Sequence, residues 1–215
     1  MKLYSFAHSP YAARVRMAIY AKGLPVEILP PPGGGGKSPE YLALNPLGKV
    51  PSLQLDDGTV IPESDTLVEF LADAFPDSGL RPTRATDIAR GRLLSRITDL
   101  YLLPHGLPLI GQMAQRTRDA AVVEAAFARM DDGFAHLEAF MTGDRYAVGD
   151  AVTTADCTLV PVLFFMGVFG QMFDRGNLLA RHGKAAGYWS RIQQDPAAQK
   201  VLGELREGLR HLGGR

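Results

Sequence analysis

The residues best placed to do chemistry come directly after the first apolar segment, where Ser9 is followed by Pro10. This pair is typical of a helix start, with the serine as N-cap and the proline as the first helical residue. Apolar residues at helical spacing follow, and Gly23 with Pro25 indicates the end of the helix. The Ser9 hydroxyl therefore either caps the helix or faces a ligand at its positive end.

A second group of candidate residues surrounds a predicted hairpin. Val50-Pro51 precedes a short predicted strand, and a cis peptide bond there would expose the Val50 backbone to an extended ligand. Glu63-Ser64 follows the hairpin and opens another predicted helix, whose backbone N–H groups could bind a carboxylate. By itself, this second pattern is more often a helix cap than a ligand site.

Alternating strand and helix patterns position these residues within the first 76 residues. The predicted strands are 2–7, 26–29, 52–55 and 59–61, and the predicted helices are 9–22, a short one at 39–44, and one from residue 64. The order is β-α-β-α-β-β-α, and the crossover helix makes the first two strands parallel. Four consecutive glycines at 33–36 break regular structure, and the sequence leaves their role open.

The pattern changes after residue 76. Residues 77–86 are a polar linker, and residues 87–215 show helical spacing that predicts an all-α bundle. The clearest helical segments are 87–101, 119–141, 153–169 and 187–194. Thr153 and Asp156 form a capping box, which indicates a structural role, and Cys157 beside them is expected to be a core residue.

Composition excludes several classes of function. The 215-residue chain has a formal net charge of zero, so no net electrostatic attraction favours binding to nucleic acid or to an anionic membrane. No apolar stretch is expected to reach the roughly 18 residues of a spanning helix, and the N-terminal segment is too short for a signal peptide. The single cysteine excludes an internal disulfide, and no ligand cluster points to a metal. We therefore expect a cytoplasmic protein that uses no metal.

The chain resembles the cytosolic glutathione transferases, in particular the serine-type tau, zeta and omega-like classes. Four segments carry the resemblance: SPYAARVRMAI, NPLGKVPSL, ESDTLVEFLADAF and YAVGDAVTTADCTLVP. The resemblance implies a thioredoxin-like domain over 1–76 and an all-α helical-bundle domain over 87–215. It also implies a homodimer that conjugates glutathione, as co-substrate, to a small hydrophobic electrophile, which is a detoxification reaction.

The resemblance gives the first helix a catalytic role. Ser9 would stabilise the glutathione thiolate, although Tyr11 and His8 remain alternatives as the hydrogen-bond donor. Redox proteins of this fold carry Cys-x-x-Cys at this helix start, whereas residues 9–12 are Ser-Pro-Tyr-Ala. Because no thiol is present there, disulfide exchange by the protein itself is excluded.

The resemblance also implies which residues bind glutathione. The Val50 backbone, after a cis bond to Pro51, would pair with the cysteinyl portion of the tripeptide. Glu63 would receive the α-amino group and Ser64 the adjacent carboxylate. The glycyl carboxylate would be bound by the remaining two candidates, Lys49 and Lys37.

The electrophile would be bound by Tyr11, Tyr101 and His105, which the resemblance places around the second-substrate pocket. The same site would also serve a maleylacetoacetate- or maleylpyruvate-type isomerase, an etherase or a dehalogenase. A non-catalytic, glutathione-binding regulatory protein is a further alternative. Anionic substrates would need additional cations, for which Arg14 and Arg16 are the candidates.

Overall fold

The computed structural model of the protein describes residues 1–143 and 145–213, apart from the side chain of Gln115. The chain divides into two compact units, residues 1–81 together with the segment from Gln194 onward, and residues 82–193. Residues 214 and 215, which end the predicted all-α domain, lie outside the described residues.

A four-stranded sheet forms the centre of the first unit. Its strands are Lys2–Tyr4 (β1), Glu27–Leu29 (β2), Ser52–Gln54 (β3) and Val60–Pro62 (β4), in the order β2-β1-β3-β4. Strand β1 pairs parallel with β2 and antiparallel with β3, so that Leu3 lies opposite both Ile28 and Leu53. The predicted mixed sheet and its parallel pair are confirmed, although three of the strands are shorter than predicted and β4 is shifted by one residue.

Three helices of the first unit follow the predicted order. They are Pro10–Lys22 (α1), Pro39–Leu44 (α2) and Ser64–Ala74 (α3). Every residue of α1 from Ala12 to Ile19 is buried, and Gly23 ends the helix at a φ of 59°, which glycine adopts without strain. The predicted β-α-β-α-β-β-α order of a thioredoxin-like fold is therefore confirmed.

The second unit is entirely helical in the part of the chain that the structure describes. Its helices are Ala85–Ile97 (α4), Leu103–Ile110 (α5), Ala120–Phe140 (α6), Thr154–Met172 (α7) and Gly183–Ile192 (α8). A π-helical turn over Thr98–Leu102 joins α4 to α5. Pro104 falls in the first turn of α5, where a proline is tolerated, so the chain changes helix type there and stays helical.

Helix α7 begins at the predicted capping box. The carboxylate of Asp156 accepts hydrogen bonds from the N–H of Thr153 at 2.9 Å and from its hydroxyl at 3.0 Å. Among the described residues, α7 alone has the length and mean hydropathy, 1.5, of a membrane-spanning helix. This corrects our expectation that no apolar stretch of the sequence is long enough to span a membrane. Since 72% of that window is buried inside the structure, α7 has the character of a core helix.

The last helix, Pro196–Gly213 (α9), lies in the stretch predicted to be helical, although it was not among the clearest segments, and it packs against α1 in the first unit. Its buried stripe includes Val201, Leu202 and Leu205. The sequence placed this segment in the all-α domain because its spacing is helical, but its contacts are with the first unit. Helix α9 thus belongs to the same compact unit as residues 1–81.

Candidate active site

A cavity of about 160 Å³ in the first unit brings most of the predicted ligand-binding residues together. Its lining comes from the start of α1, from the loop before β3, and from the connection between β4 and α3. The lining residues are Tyr11, Asn45, Leu47, Lys49, Val50, Pro51, Pro62, Glu63 and Ser64. Two predicted residues of this unit, Ser9 and Lys37, lie outside that lining.

The Val50–Pro51 peptide bond is cis, as predicted. In the part of the chain that the structure describes, neither the N–H nor the C=O of Val50 pairs with another backbone group. Both groups belong to a residue that lines the cavity. An extended ligand can therefore pair with them as an additional strand would.

Two buried side chains hold the peptide group that precedes Val50. The carbonyl of Lys49 accepts hydrogen bonds from the Tyr41 hydroxyl at 2.8 Å and from the Asn45 amide at 2.9 Å. Tyr41 is 0% exposed and Asn45 is 1% exposed. Sequence reasoning missed both residues, although Asn45 opens the NPLGKVPSL segment and could have been found there.

Glu63 and Ser64 form the start of α3 in an unusual conformation. Glu63 has a φ of 72°, which costs a non-glycine residue about 1–3 kcal/mol. Its side chain makes no capping hydrogen bond, and the Ser64 hydroxyl has no hydrogen-bond partner among the described residues. The residues of this apparent cap are therefore available to a ligand that carries a carboxylate.

Ser9 caps α1, because its hydroxyl oxygen accepts a hydrogen bond of 3.1 Å from the N–H of Ala12. Accepting that bond leaves the hydroxyl proton unused, and within residues 1–143 and 145–213 no group accepts it. A hydroxyl that accepts one hydrogen bond is also a better donor in the next. Ser9 can thus cap the helix and donate to an anion at the same time.

The two alternative donors beside Ser9 have different surroundings. The His8 ring stacks on Phe6 with centroids 5.5 Å apart, and burial, followed by the charge of Arg16, lowers the pKa of His8. This shift favours the neutral form of the His8 imidazole. Tyr11 lines the cavity and lies under the guanidinium of Arg14 at 5.1 Å. Which of the three groups donates to a thiolate stays a prediction.

The two candidate lysines differ in position. Lys49 is exposed and lines the cavity. The ammonium of Lys37 instead donates to the carbonyl of Leu47 at 3.4 Å, so it lies beside a lining residue. A Cβ on Gly36 would lie 3.0 Å from the Gly48 carbonyl, which shows that the glycine-rich loop packs closely against the segment leading to Val50.

Arg14 and Arg16 are not exposed cations. Their exposed fractions are 1% and 2%. The guanidinium of Arg16 donates to the Ser5 hydroxyl at 2.6 Å and to the carbonyls of Phe6 and Ala7, each at 2.8 Å. The expectation that Arg16 would bind an anionic substrate is wrong, because its guanidinium is buried and its donors are directed at the Ser5 hydroxyl and at two backbone carbonyls.

The two residues of the second unit that were predicted to bind the electrophile lie in the π-helical turn and in α5, which follows it. Tyr101 is 46% exposed in the π-helical turn, and its ring meets that of His136 with centroids 5.4 Å apart. His105 is half-buried in α5. Their role in binding an electrophile stays a prediction. Across the described ranges, no group of three or more His, Cys, Asp or Glu residues is arranged to hold a metal ion.

Comparison with known proteins relates this geometry to one family. Residues 3–79 match the family model "Glutathione S-transferase, N-terminal domain", and residues 120–188 match "Glutathione S-transferase, C-terminal domain". The chain is 31% identical to the maleylacetoacetate isomerase of Pseudomonas aeruginosa over 93% of its own length and 97% of that protein. It is 30% identical to glutathione S-transferase 3 of Zea mays, with 95% and 94% coverage.

Solved structures support the same assignment. The holo structure of maleyl pyruvate isomerase, a bacterial zeta-class protein, is 26% identical with a TM-score of 0.74, covering 94% of this chain and 96% of that one. Glutathione S-transferase III in its apo form is 29% identical with a TM-score of 0.75, covering 94% and 95%. The chain therefore belongs to the glutathione S-transferase family, whose members are glutathione-dependent enzymes.

Proposed function

We propose that the protein adds the thiolate of glutathione to a small hydrophobic electrophile, with Ser9 as the residue that stabilises the thiolate. The observation that carries this proposal is the Ser9 hydroxyl, which accepts from the N–H of Ala12 and keeps its proton for a second partner. It also lies at the N-terminus of the buried helix α1.

The energy required of Ser9 and α1 is moderate. A free thiol has a pKa near 8.5, so lowering it by about two units requires roughly 2.7 kcal/mol. A hydrogen bond to a charged sulfur contributes about 1.5–3 kcal/mol, and a helix N-terminus contributes about 0.3–1 kcal/mol. The two contributions together are of the required size.

The cavity supplies complementary groups for the charges of glutathione. The Val50 backbone pairs with the cysteinyl portion, and Lys49 attracts the glycyl carboxylate. At the other end, the start of α3 with Ser64 binds the α-carboxylate, and Glu63 receives the ammonium group. The geometry that supports this arrangement is the common lining of one cavity by all four residues.

In the proposed reaction the thiol of bound glutathione first loses its proton to solvent water. The sulfur then attacks the electrophilic carbon, a C–S bond forms, and either a leaving group departs with its electron pair or the adjacent carbon gains a proton. The protein contributes orientation and stabilisation of the anion. We propose further that the protein acts as a cytoplasmic homodimer, which light scattering of the purified protein tests.

Isomerisation of a maleyl-type double bond is a second candidate, favoured by the similarity to maleylacetoacetate isomerase and maleyl pyruvate isomerase. The thiolate would add to the double bond, the carbon–carbon bond would rotate, and the thiolate would leave again. Arg16 does not provide the cation that such dianionic substrates need, because the protein backbone occupies its donors. Turnover of maleyl compounds with glutathione distinguishes this candidate from conjugation.

The first experiment is the ultraviolet difference spectrum of bound glutathione against pH. We expect a thiolate signal whose apparent pKa lies well below that of free glutathione, and we expect Ser9→Ala to return it towards the free value. Asp119→Ala is the matched control, because the Asp119 carboxylate caps α6 by accepting from the N–H groups of Ala121 and Val122. This control loses a cap without affecting the proposed site.

An unchanged thiolate pKa in Ser9→Ala would show that Ser9 is only a cap, and Tyr11→Phe and His8→Ala would then be the next variants. Binding of glutathione without turnover of any electrophile or maleyl compound would favour a regulatory protein. The presence of all the proposed glutathione-binding groups in one unit argues against that alternative.

A further inference from the structure

We propose that the last helix, α9, positions Ser9 for the reaction, through Glu204 and Gly208. The proposal rests on the proposed function of Ser9 as thiolate donor. It concerns positioning residues, since neither Glu204 nor Gly208 lines the cavity.

The first contact runs through Arg16. Its guanidinium donates to the carbonyl of Phe6 at 2.8 Å, and the N–H of Ser9 donates to that same carbonyl at 3.1 Å. Arg16 also binds the Ser5 hydroxyl and the Ala7 carbonyl. The guanidinium therefore holds the segment 5–7 that leads into Ser9, including the group to which the Ser9 backbone is bound.

Glu204 of α9 holds Arg16 in turn. One carboxylate oxygen of Glu204 lies 2.8 Å from Nε of Arg16, and the other accepts a hydrogen bond of 2.7 Å from the Tyr20 hydroxyl. Burial lowers the pKa of Arg16, whereas the charge of Glu204 raises it and so opposes that cost. A buried cation is tolerated only with such a partner, so α9 supplies the negative charge that stabilises the guanidinium of Arg16 in this position.

The second contact is direct and involves the backbone. A Cβ added to Gly208 would lie 2.6 Å from the backbone nitrogen of His8 and 2.9 Å from the carbonyl carbon of Ala7. Only glycine allows α9 to approach the Ala7–His8 peptide group, one residue before Ser9, so closely. Gly203, five residues earlier on α9, has no atom within 4 Å of its hypothetical Cβ.

We expect these contacts to affect the position of the Ser9 hydroxyl, but not the cap of α1 or the binding of glutathione. The cap on α1 is local, because Ser9 and Ala12 are three residues apart. The proposed glutathione-binding groups lie on the loop before β3 and at the start of α3. Displacing the segment 5–8 should therefore change the thiolate pKa and kcat, and leave the KM for glutathione nearly unchanged.

The test compares Gly208→Ala with Gly203→Ala, two identical substitutions on one helix. We expect Gly208→Ala to raise the apparent pKa of the bound thiol by about one unit and to lower kcat about tenfold near neutral pH, with the KM for glutathione changed less than about twofold. Backbone amide exchange at residues 5–9 should also become faster. Gly203→Ala should match the wild type in every one of these measurements.

The proposal would be overturned if Gly208→Ala kept the wild-type rate of backbone amide exchange at residues 5–9, the wild-type thiol pKa and the wild-type kcat. A lower melting temperature of the variant would not change that conclusion. Should Gly208→Ala fail to fold, Arg16→Lys replaces it, because a lysine keeps the charge but loses the branched set of donors. The same changes are expected of Arg16→Lys, and their absence would equally overturn the proposal. If the wild type forms no thiolate, the proposed function fails, while faster exchange at 5–9 in the variant still supports positioning by α9.

Discussion

The Tyr41 hydroxyl donates a hydrogen bond of 2.8 Å to the carbonyl of Lys49. That carbonyl and the N–H of Val50 belong to the same peptide group, so fixing one fixes the direction of the other. A residue of α2 thereby orients the backbone donor on which the proposed ligand pairing depends.

Replacing Tyr41 by phenylalanine should weaken glutathione binding about 3–10-fold, because one hydrogen bond of about 0.5–1.5 kcal/mol no longer orients this peptide group. Calorimetric titration with glutathione measures the effect. Tyr4→Phe is the control, since it loses a comparable bond of 2.9 Å to Gln54 and keeps the ring that contacts the ring of Tyr41. Equal affinities of Tyr41→Phe and wild type would contradict the prediction.

Glu63 should show a conflict between stability and binding. Because its φ is 72°, we expect Glu63→Gly to raise the free energy of unfolding by about 1 kcal/mol relative to Glu63→Ala. Both variants should bind glutathione about tenfold more weakly, since both lack the carboxylate proposed to receive the ammonium group. Chemical denaturation and titration give the two quantities. A glycine variant less stable than the alanine variant would disprove the strain.

The two lysines near the cavity should contribute unequally. Lys49→Ala should weaken glutathione binding up to about fivefold, because an exposed ion pair contributes about 0.2–1 kcal/mol. Lys37→Ala should have a smaller effect, since its ammonium lies on the Leu47 carbonyl. Added salt should reduce the effect of Lys49→Ala, as screening weakens exposed pairs. A larger loss of glutathione affinity in Lys37→Ala than in Lys49→Ala would assign the glycyl carboxylate to Lys37 instead.

Asp156 should make stability depend on pH. Its side chain is completely buried, and burial raises its pKa from an ordinary 3.8 to about 6, against the hydrogen bonds it accepts from Ala147, Thr153 and Tyr188. Between these two values the unfolded chain loses its proton while the folded protein keeps it. The free energy of unfolding should therefore fall by about 3 kcal/mol as the pH rises through this interval, and then level off.

Denaturation of the wild type and of Asp156→Asn between pH 4 and 7 measures this dependence. The variant is expected to be less stable overall, because the amide cannot accept every hydrogen bond that the carboxylate accepts, and it should lack this fall with pH. The same fall in both proteins would show that another group is responsible.

Local signals carried most of what could be predicted from the sequence. Ser9-Pro10 predicts a capped helix, because the governing interactions lie within a few residues of the motif. The cis bond at Val50-Pro51 was expected from the family resemblance, since few X-Pro bonds are cis. The hairpin between β3 and β4 and the order of the first unit follow from alternating apolar residues and turn residues. These features need no knowledge of tertiary contacts.

The features that were missed depend on contacts between distant segments. Arg16 has the sequence appearance of a surface cation, and only the approach of Glu204, far along the chain, shows that it is buried. Tyr41 and Asn45 were overlooked because an aromatic residue and an amide on a short helix carry no sign of which carbonyl they bind. The close approach of α9 to the Ala7–His8 peptide group likewise leaves no room for a Cβ at Gly208, and nothing near Gly208 in the sequence indicates this contact.

The only cysteine of the chain, Cys157, is 0% exposed inside α7. Electrophiles that react with sulfur attack an accessible thiolate, and a buried thiol in an apolar core is inert towards them. In the proposed conjugation, a sulfur-reactive compound would therefore meet a thiolate supplied by the co-substrate and no accessible cysteine of the protein. The proposed conjugation would consume a replaceable small molecule at each turnover and leave the protein's own thiol unmodified.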